Sequence, residues 1–201
     1  MGNAQLLYQG HGSYRITTAA GKVVYVDPYA GEGYDLPGDL VLVTHEHYDH
    51  NAVEKVTLKD GGKMIRSAQA LRGGKYQMWD LGWICIEAVP AYNEKHSREN
   101  CVGYLLFWDG LTLYASGDTS ETEEMPLLPP MDYALLPIDG VYNMDAQQAT
   151  FCASLLQARY VIPVHTKPGA LYDRKNAERF RAPNRLLVEP GETIQLEGEK
   201  K

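Results

Sequence analysis

Cysteine is scarce in this sequence: there are three in 201 residues, Cys85, Cys101 and Cys152, odd in number and far apart. That excludes a disulfide framework and suits reduced thiols packing as small apolar groups in a reducing compartment. Long apolar runs are missing too. No 18 consecutive apolar residues occur, and residues 1–10 hold neither Lys nor Arg nor a run long enough for a secretory signal. A cytoplasmic protein with no membrane partner is expected. Met1-Gly2 opens like a myristoylation signal, but Leu6 stands where that pattern wants Ser or Thr. Basic charge is also short. Nineteen Lys and Arg face 26 Asp and Glu, for a net charge of −7, and the basic tracts are brief, as at residues 179–181. Nucleic acid, which is bound mainly through neutralised phosphates, is not the expected partner.

What remains is enough for one core. With 44% apolar residues over 201, a single domain spanning residues 1–201 is expected. Short β-like runs open the chain at 5–9, 14–18 and 22–27, with Ala20-Gly21 as a turn. A compact apolar strand at 39–44 then leads directly into Thr44-His45-Glu46-His47-Tyr48-Asp49-His50. Residues 52–58 read as a short helix, and weaker strands follow at 63–66 and 76–79. Strands at 83–91, 102–108 and 111–116 form a second meander, the last two joined by Asp109-Gly110, a type I′ hairpin signal. A buried strand at 133–138 precedes a helix at 145–157 with Asp145 as N-cap and Gln148 at N3. A strand at 160–164 ends on His165. A helix at 173–180 and strands at 185–189 and 193–196 complete the pattern. Two strand-rich halves, each followed by helices, point to an α/β fold with two facing sheets and helices outside.

Four metal-capable side chains fall within six residues: His45, His47, Asp49 and His50. Imidazoles two apart on extended backbone point the same way, so His45 and His47 can grip one ion while Asp49 and His50 turn toward a neighbouring one. Crowding them without a cation would be costly. The run resembles the metal signature of the metallo-β-lactamase superfamily. The resemblance extends through Gly117-Asp118-Thr119 to the strand ending in His165. Within the superfamily the chain is similar to compact metal-dependent hydrolases and to the ascorbate-phosphate lactonase-like branch, through Gly10-His11-Gly12-Ser13, Val26-Asp27-Pro28, Ala91-Tyr92-Asn93 and residues 114–119.

The resemblance implies a four-layer αββα sandwich with a two-metal site at one edge of its sheets. Asp118 would bridge the ions and His165 would be the last histidine ligand. His96, the histidine left over, fills the third place at the first ion, whereas the family's ligand comes directly after a strand, where Asn93 stands. Asn93 facing the metal with His96 lining the pocket is the alternative. His11 and Asp27 would orient ligands or meet substrate. Tyr48, Tyr92, Tyr142 and Lys167 sit on loops expected to face the site as hydroxyl or ammonium donors.

The implied function is a metal-dependent hydrolase, with two zinc ions expected and Mn, Fe or Ni as substitutes. A metal-bound hydroxide would attack a small-molecule ester, lactone, amide or phosphoester, with Asp49 passing protons. The rivals are a mononuclear iron oxidoreductase resembling the sulfur dioxygenases and a phosphodiesterase on the same fold. The diiron flavoprotein branch has Glu in the place of His47 and is disfavoured. Oligomeric state is not legible.

Overall fold

Alternation of apolar and polar residues sets the first strands, and burial follows the alternation. β1 (Asn3–Gly10) buries Ala4, Leu6 and Tyr8 on one face and exposes Asn3 and Gln5. The computed structural model describes residues 3–198, so Met1 and Gly2, and with them the lipidation reading, lie outside the described residues. In chain order the strands continue with β2 (Ser13–Thr18), β3 (Val23–Val26), β4 (Gly38–Leu42), β5 (Leu58–Ile65), β6 (Leu71–Arg72), β7 (Lys75–Tyr76) and β8 (Met78–Asp80). Then come β9 (Cys85–Pro90), β10 (Val102–Trp108), β11 (Leu111–Ala115), β12 (Met131–Pro137), β13 (Ala158–Val164) and β14 (Thr193–Glu197). Three helices interleave them: α1 (Ser67–Ala70), α2 (Ala146–Leu155) and α3 (Arg174–Arg179).

Two six-stranded sheets result, ordered β14-β1-β2-β3-β4-β5 and β13-β12-β11-β10-β9-β8, with β6 and β7 as a small hairpin. Both are mixed. Each has an antiparallel meander that turns parallel, through β3-β4-β5 in one and β11-β12-β13 in the other. Their inner faces share one apolar cluster, in which Leu6, Ile16, Val24 and Leu40 meet Ile86, Tyr104, Leu106 and Leu135. On the outer face of the second sheet, Leu105, Tyr114, Ala134 and Val161 pack under α2 and Phe180. On the outer face of the first sheet, Tyr25, Val41 and Val43 are covered by Tyr34, Leu36, Val53 and Val56. The fold is thus the expected α/β sandwich of the metallo-β-lactamase type, with a thin outer layer beside the first sheet.

The helix expected at 52–58 is absent. Only a 3₁₀ turn forms, at Val53–Lys55, and the chain then enters β5, which begins five residues before the expected strand at 63–66. Residues 185–189 form no strand: Arg185 makes one isolated bridge to Val161. The hairpin at Asp109-Gly110 has both residues at positive φ, 46° and 80°, as type I′ requires. Asp145 caps α2 by accepting from the Gln147 and Gln148 amides, and Gln148 closes the capping box. The three cysteines are free, two of them buried. Among the described residues no helix is long and apolar enough to cross a membrane.

Candidate metal centre

The chemistry-bearing residues stand where strands end. β3 runs into Asp27, β4 into residues 44–50, β11 into Asp118, β12 into Asp139 and β13 into His165, while the turn after β1 carries His11. A rigid pair of sheets thereby holds a constellation built on loops. Two backbone hydrogen bonds pin the sheets together at this edge, Val102 N–H to Thr44 O at 3.0 Å and His165 N–H to His11 O at 2.8 Å.

Among the donor groups that form there, which include Asp27, His45 and His50, two share no residue. His45, His47 and His96 bring one ligand atom each to within 4.8 Å of one another, and so do His11, Asp49, His50 and His165. The structure thus brings His96 together with His45 and His47, while Asn93 Oδ1 lies 3.0 Å from His96 Nδ1. Asp118 lies between the groups: its Oδ2 is 3.3 Å from His96 Nε2 and 3.6 Å from His165 Nε2, and its Oδ1 is 3.5 Å from His50 Nε2.

Neighbouring groups decide which ring nitrogen is left free. Asp27 can only accept: it takes the Thr44 amide and hydroxyl, each at 2.7 Å, and the His50 Nδ1–H at 2.8 Å. The Thr44 oxygen, its proton given to Asp27, faces His45 Nδ1 at 3.0 Å. His45 Nε2 and His50 Nε2 are then buried without a hydrogen-bond partner. Buried polar nitrogens left unpaired are costly, and a divalent cation relieves that cost, so the residues present fit a metal site. His11 has an acceptor at each ring nitrogen, Ala170 O 3.2 Å from Nδ1 and Asp49 Oδ2 3.1 Å from Nε2.

Charge agrees with this fit. Burial, then the neighbouring histidines, pushes His45 well below its ordinary value, and burial lowers His96 as well, which keeps both as neutral imidazoles. Burial opposes ionisation of Asp118, yet the histidines around it, His50 first, hold it far below the usual carboxylate range. Burial likewise opposes ionisation of Asp49, but the hydrogen bond from His11, the charge of His50 and a backbone hydrogen bond together outweigh it and hold the carboxyl below the usual range. For His50, burial is overcome by Asp118 and Asp27, which raise it to about 9. The carboxylates call for positive charge, as a proton or as a metal ion.

Two of the expected donors line an open cleft of about 720 Å³ beside the clusters: Tyr48 and Tyr142 share its wall with Lys95, His47, His96 and Asp118. Two do not. Tyr92 lies under the Arg98 guanidinium, 4.8 Å from its ring centroid, and Lys167 is absent from the lining although Pro168 and Gly169 belong to it. A second groove of about 530 Å³ meets the first at His47 and His96. Cys101 lines this groove, but burial pushes its thiol up to about 12, so it supplies no thiolate at neutral pH.

Sequence reasoning overlooks Asp139, whose fully buried side chain sits 3.1 Å from His165 Nδ1. The usable signal is its position: like Asp118 it follows a buried parallel strand and adjoins a glycine.

The Beta-lactamase superfamily domain profile matches residues 5–165. A UPF0173 metal-dependent hydrolase of Nitratidesulfovibrio vulgaris (strain Hildenborough) is 34% identical over 231 aligned residues, covering 96% of this chain and 95% of that protein. One of Thermococcus onnurineus is 29% identical over 222 residues, covering 94% and 98%. Among solved structures, Igni18, a metallo hydrolase of the hyperthermophilic archaeon Ignicoccus hospitalis, superposes with a TM-score of 0.77 at 24% identity, covering 98% of this chain and all of that one, and so shares the fold.

Proposed function

We propose two-metal hydrolysis from a plain premise: the chain belongs to the β-lactamase superfamily and, within it, to the UPF0173 metal-dependent hydrolases. The observation that carries the proposal is the position of Asp118, one buried carboxylate touching histidines of both donor clusters. His45, His47 and His96 would hold one ion, and Asp49, His50 and His165 the other, with Asp118 shared. Zinc is the first choice for imidazole-rich ligand sets with a carboxylate. When bound, the metals supply Lewis-acid polarisation of the scissile group and acidification of water.

The chain's own residues do the rest. Asp49, held ionised beside His11, is the group placed to take a proton from attacking water and return it to the leaving group. Asp27 and Thr44 fix the rings of His50 and His45 from behind. Tyr48 and Tyr142 offer hydroxyls along the cleft, which suits a small ester, lactone, amide or phosphoester.

The test is a panel of generic esters, lactones, amides, phosphomonoesters and phosphodiesters, run on zinc-loaded protein, chelator-treated protein and Asp118→Ala. Hydrolysis of at least one class is expected, abolished by the chelator and restored by zinc. Asp118→Ala should lower the rate on the order of 10³-fold or more, since several kcal/mol of charge stabilisation depend on it. Turnover that is unchanged in Asp118→Ala contradicts the shared-carboxylate role. Activity that appears only with iron and dioxygen favours the oxidoreductase.

A further inference from the structure

A run of hydrogen-bonded polar side chains leads from His96 to Asp139 through residues outside both histidine clusters. The Asp139 carboxylate stands at ion-pair distance from His165 Nδ1, so the run connects one cluster with the edge of the other. That carboxylate can only accept. Its Oδ1 takes the backbone N–H groups of Val141 and Tyr142, each at 2.7 Å. Its Oδ2 takes the Asn143 amide Nδ2 at 2.7 Å and lies 3.1 Å from His165 Nδ1. Asn143 must therefore turn its NH₂ toward Asp139, and its Oδ1 is left to accept from Asn93 Nδ2 at 3.3 Å. Asn93 gives that same nitrogen to Tyr142 O at 3.0 Å. Its own Oδ1 then accepts from Lys95 N–H at 2.8 Å, His96 N–H at 3.0 Å and the His96 ring Nδ1–H at 3.0 Å.

Each amide in this run has one satisfied orientation: Asp139 sets that of Asn143, and the Lys95 and His96 backbone N–H groups set that of Asn93. The two agree at the Asn93–Asn143 contact, and the run ends at the ring of His96. There it requires the proton on Nδ1 and leaves Nε2, the nitrogen 3.3 Å from Asp118, free of hydrogen. We propose that Asn93 and Asn143 are positioning residues that set the tautomer of His96 and couple its cluster to the one containing His165. The inference rests on the two-ion reading of the site. Groups standing behind metal-binding histidines typically govern affinity 10- to 100-fold. The same run anchors Tyr142, so occupancy of the clusters and the shape of the cleft wall are set together.

Zinc titration of metal-stripped protein, read by calorimetry and by ¹⁵N resonances of the histidine rings, tests this. The wild type should take up two ions, with the affinity of one site responding to occupancy of the other. Asn143→Ala should weaken uptake about tenfold or more at both sites, remove that response and leave the circular dichroism spectrum unaltered. Asn93→Asp can still accept from His96 but can no longer donate to Asn143, so it should keep the His96 Nδ1–H resonance and lose the coupling. If Asn143→Ala does not fold, Asn93→Asp alone decides. Wild-type affinities and wild-type coupling in either folded variant overturn the proposal. A wild type that takes up no zinc overturns the two-ion reading, and this inference with it.

Discussion

Backbone strain at single residues marks the site. Apart from Asp109 in its hairpin, the non-glycine residues at positive φ among those described are His11 at 54°, Asp27 at 45° and His165 at 45°. Such positions cost on the order of 1–3 kcal/mol each and persist where surrounding structure holds them. Here that structure is the set of contacts around the candidate metal site. The run at residues 44–50 was legible because its spacing is local, and Asp118 and His165 were legible through the family resemblance and their places at strand ends. Asp139 and Asn143 were not, because their roles arise only from tertiary approach to His165 and Asn93. Charge at His50 yields a pH prediction for the metal-free protein. Its folded pKa of about 9 lies above the ordinary 6.5, so its protonation contributes stability that is fully present below pH 6.5 and lost as pH rises through about 9. The Tm of metal-free protein should fall across that window, and zinc binding within it should release protons. A flat Tm from pH 6.5 to 9 contradicts the assigned ion pairs with Asp27 and Asp118.

At the level of elements, the strands that periodicity predicts are those with a clean alternation or a dense apolar run. The first part of β5, residues 58–62, escaped because Gly61 and Gly62 interrupt its pattern, whereas residues 63–65 lie in the strand expected at 63–66. β5 is specified by parallel pairing with β4, where Leu40, Val41 and Leu42 oppose Lys63, Met64 and Ile65. The pairing shifts register between Gly38 and Leu40, and a side chain on Gly62 would sit 2.9 Å from the Gly38 and Lys59 carbonyl oxygens. Residues 185–189 failed for the opposite reason: their pattern is strand-like, but one bridge to Val161 is all that pairs with them. Close approach also explains two glycines at the site. A Cβ on Gly12 would lie 2.8 Å from His50 Cε1, and one on Gly117, at φ 62°, 2.7 Å from Thr44 Cβ. Gly117→Ala should therefore displace Thr44 and disturb the Asp27–Thr44–His45 contacts. A stability loss of about 2 kcal/mol is expected, together with weaker zinc uptake. An unchanged Tm and unchanged zinc affinity contradict this packing account.

For the whole molecule, the outer layers are uneven and the site is not centred on helices. Two mixed sheets meet at an edge where Asp27, Asp49, Asp118 and Asp139 are drawn among six histidines. That gathering is hard to reconcile with a structure that never meets a cation, since buried carboxylates and unpaired imidazole nitrogens oppose folding unless something compensates them. Ligand binding to the folded state alone raises stability with concentration, so metal should act on the entire fold as well as on the reaction. The most direct measurement is the metal content of the protein, determined by elemental analysis after zinc titration of the stripped chain and located by anomalous scattering at the zinc edge. The account predicts two ions per chain, one among His45, His47 and His96 and one among Asp49, His50 and His165, with Asp118 contacting both. A chain that takes up no ion, or a single ion lying away from Asp118, contradicts it.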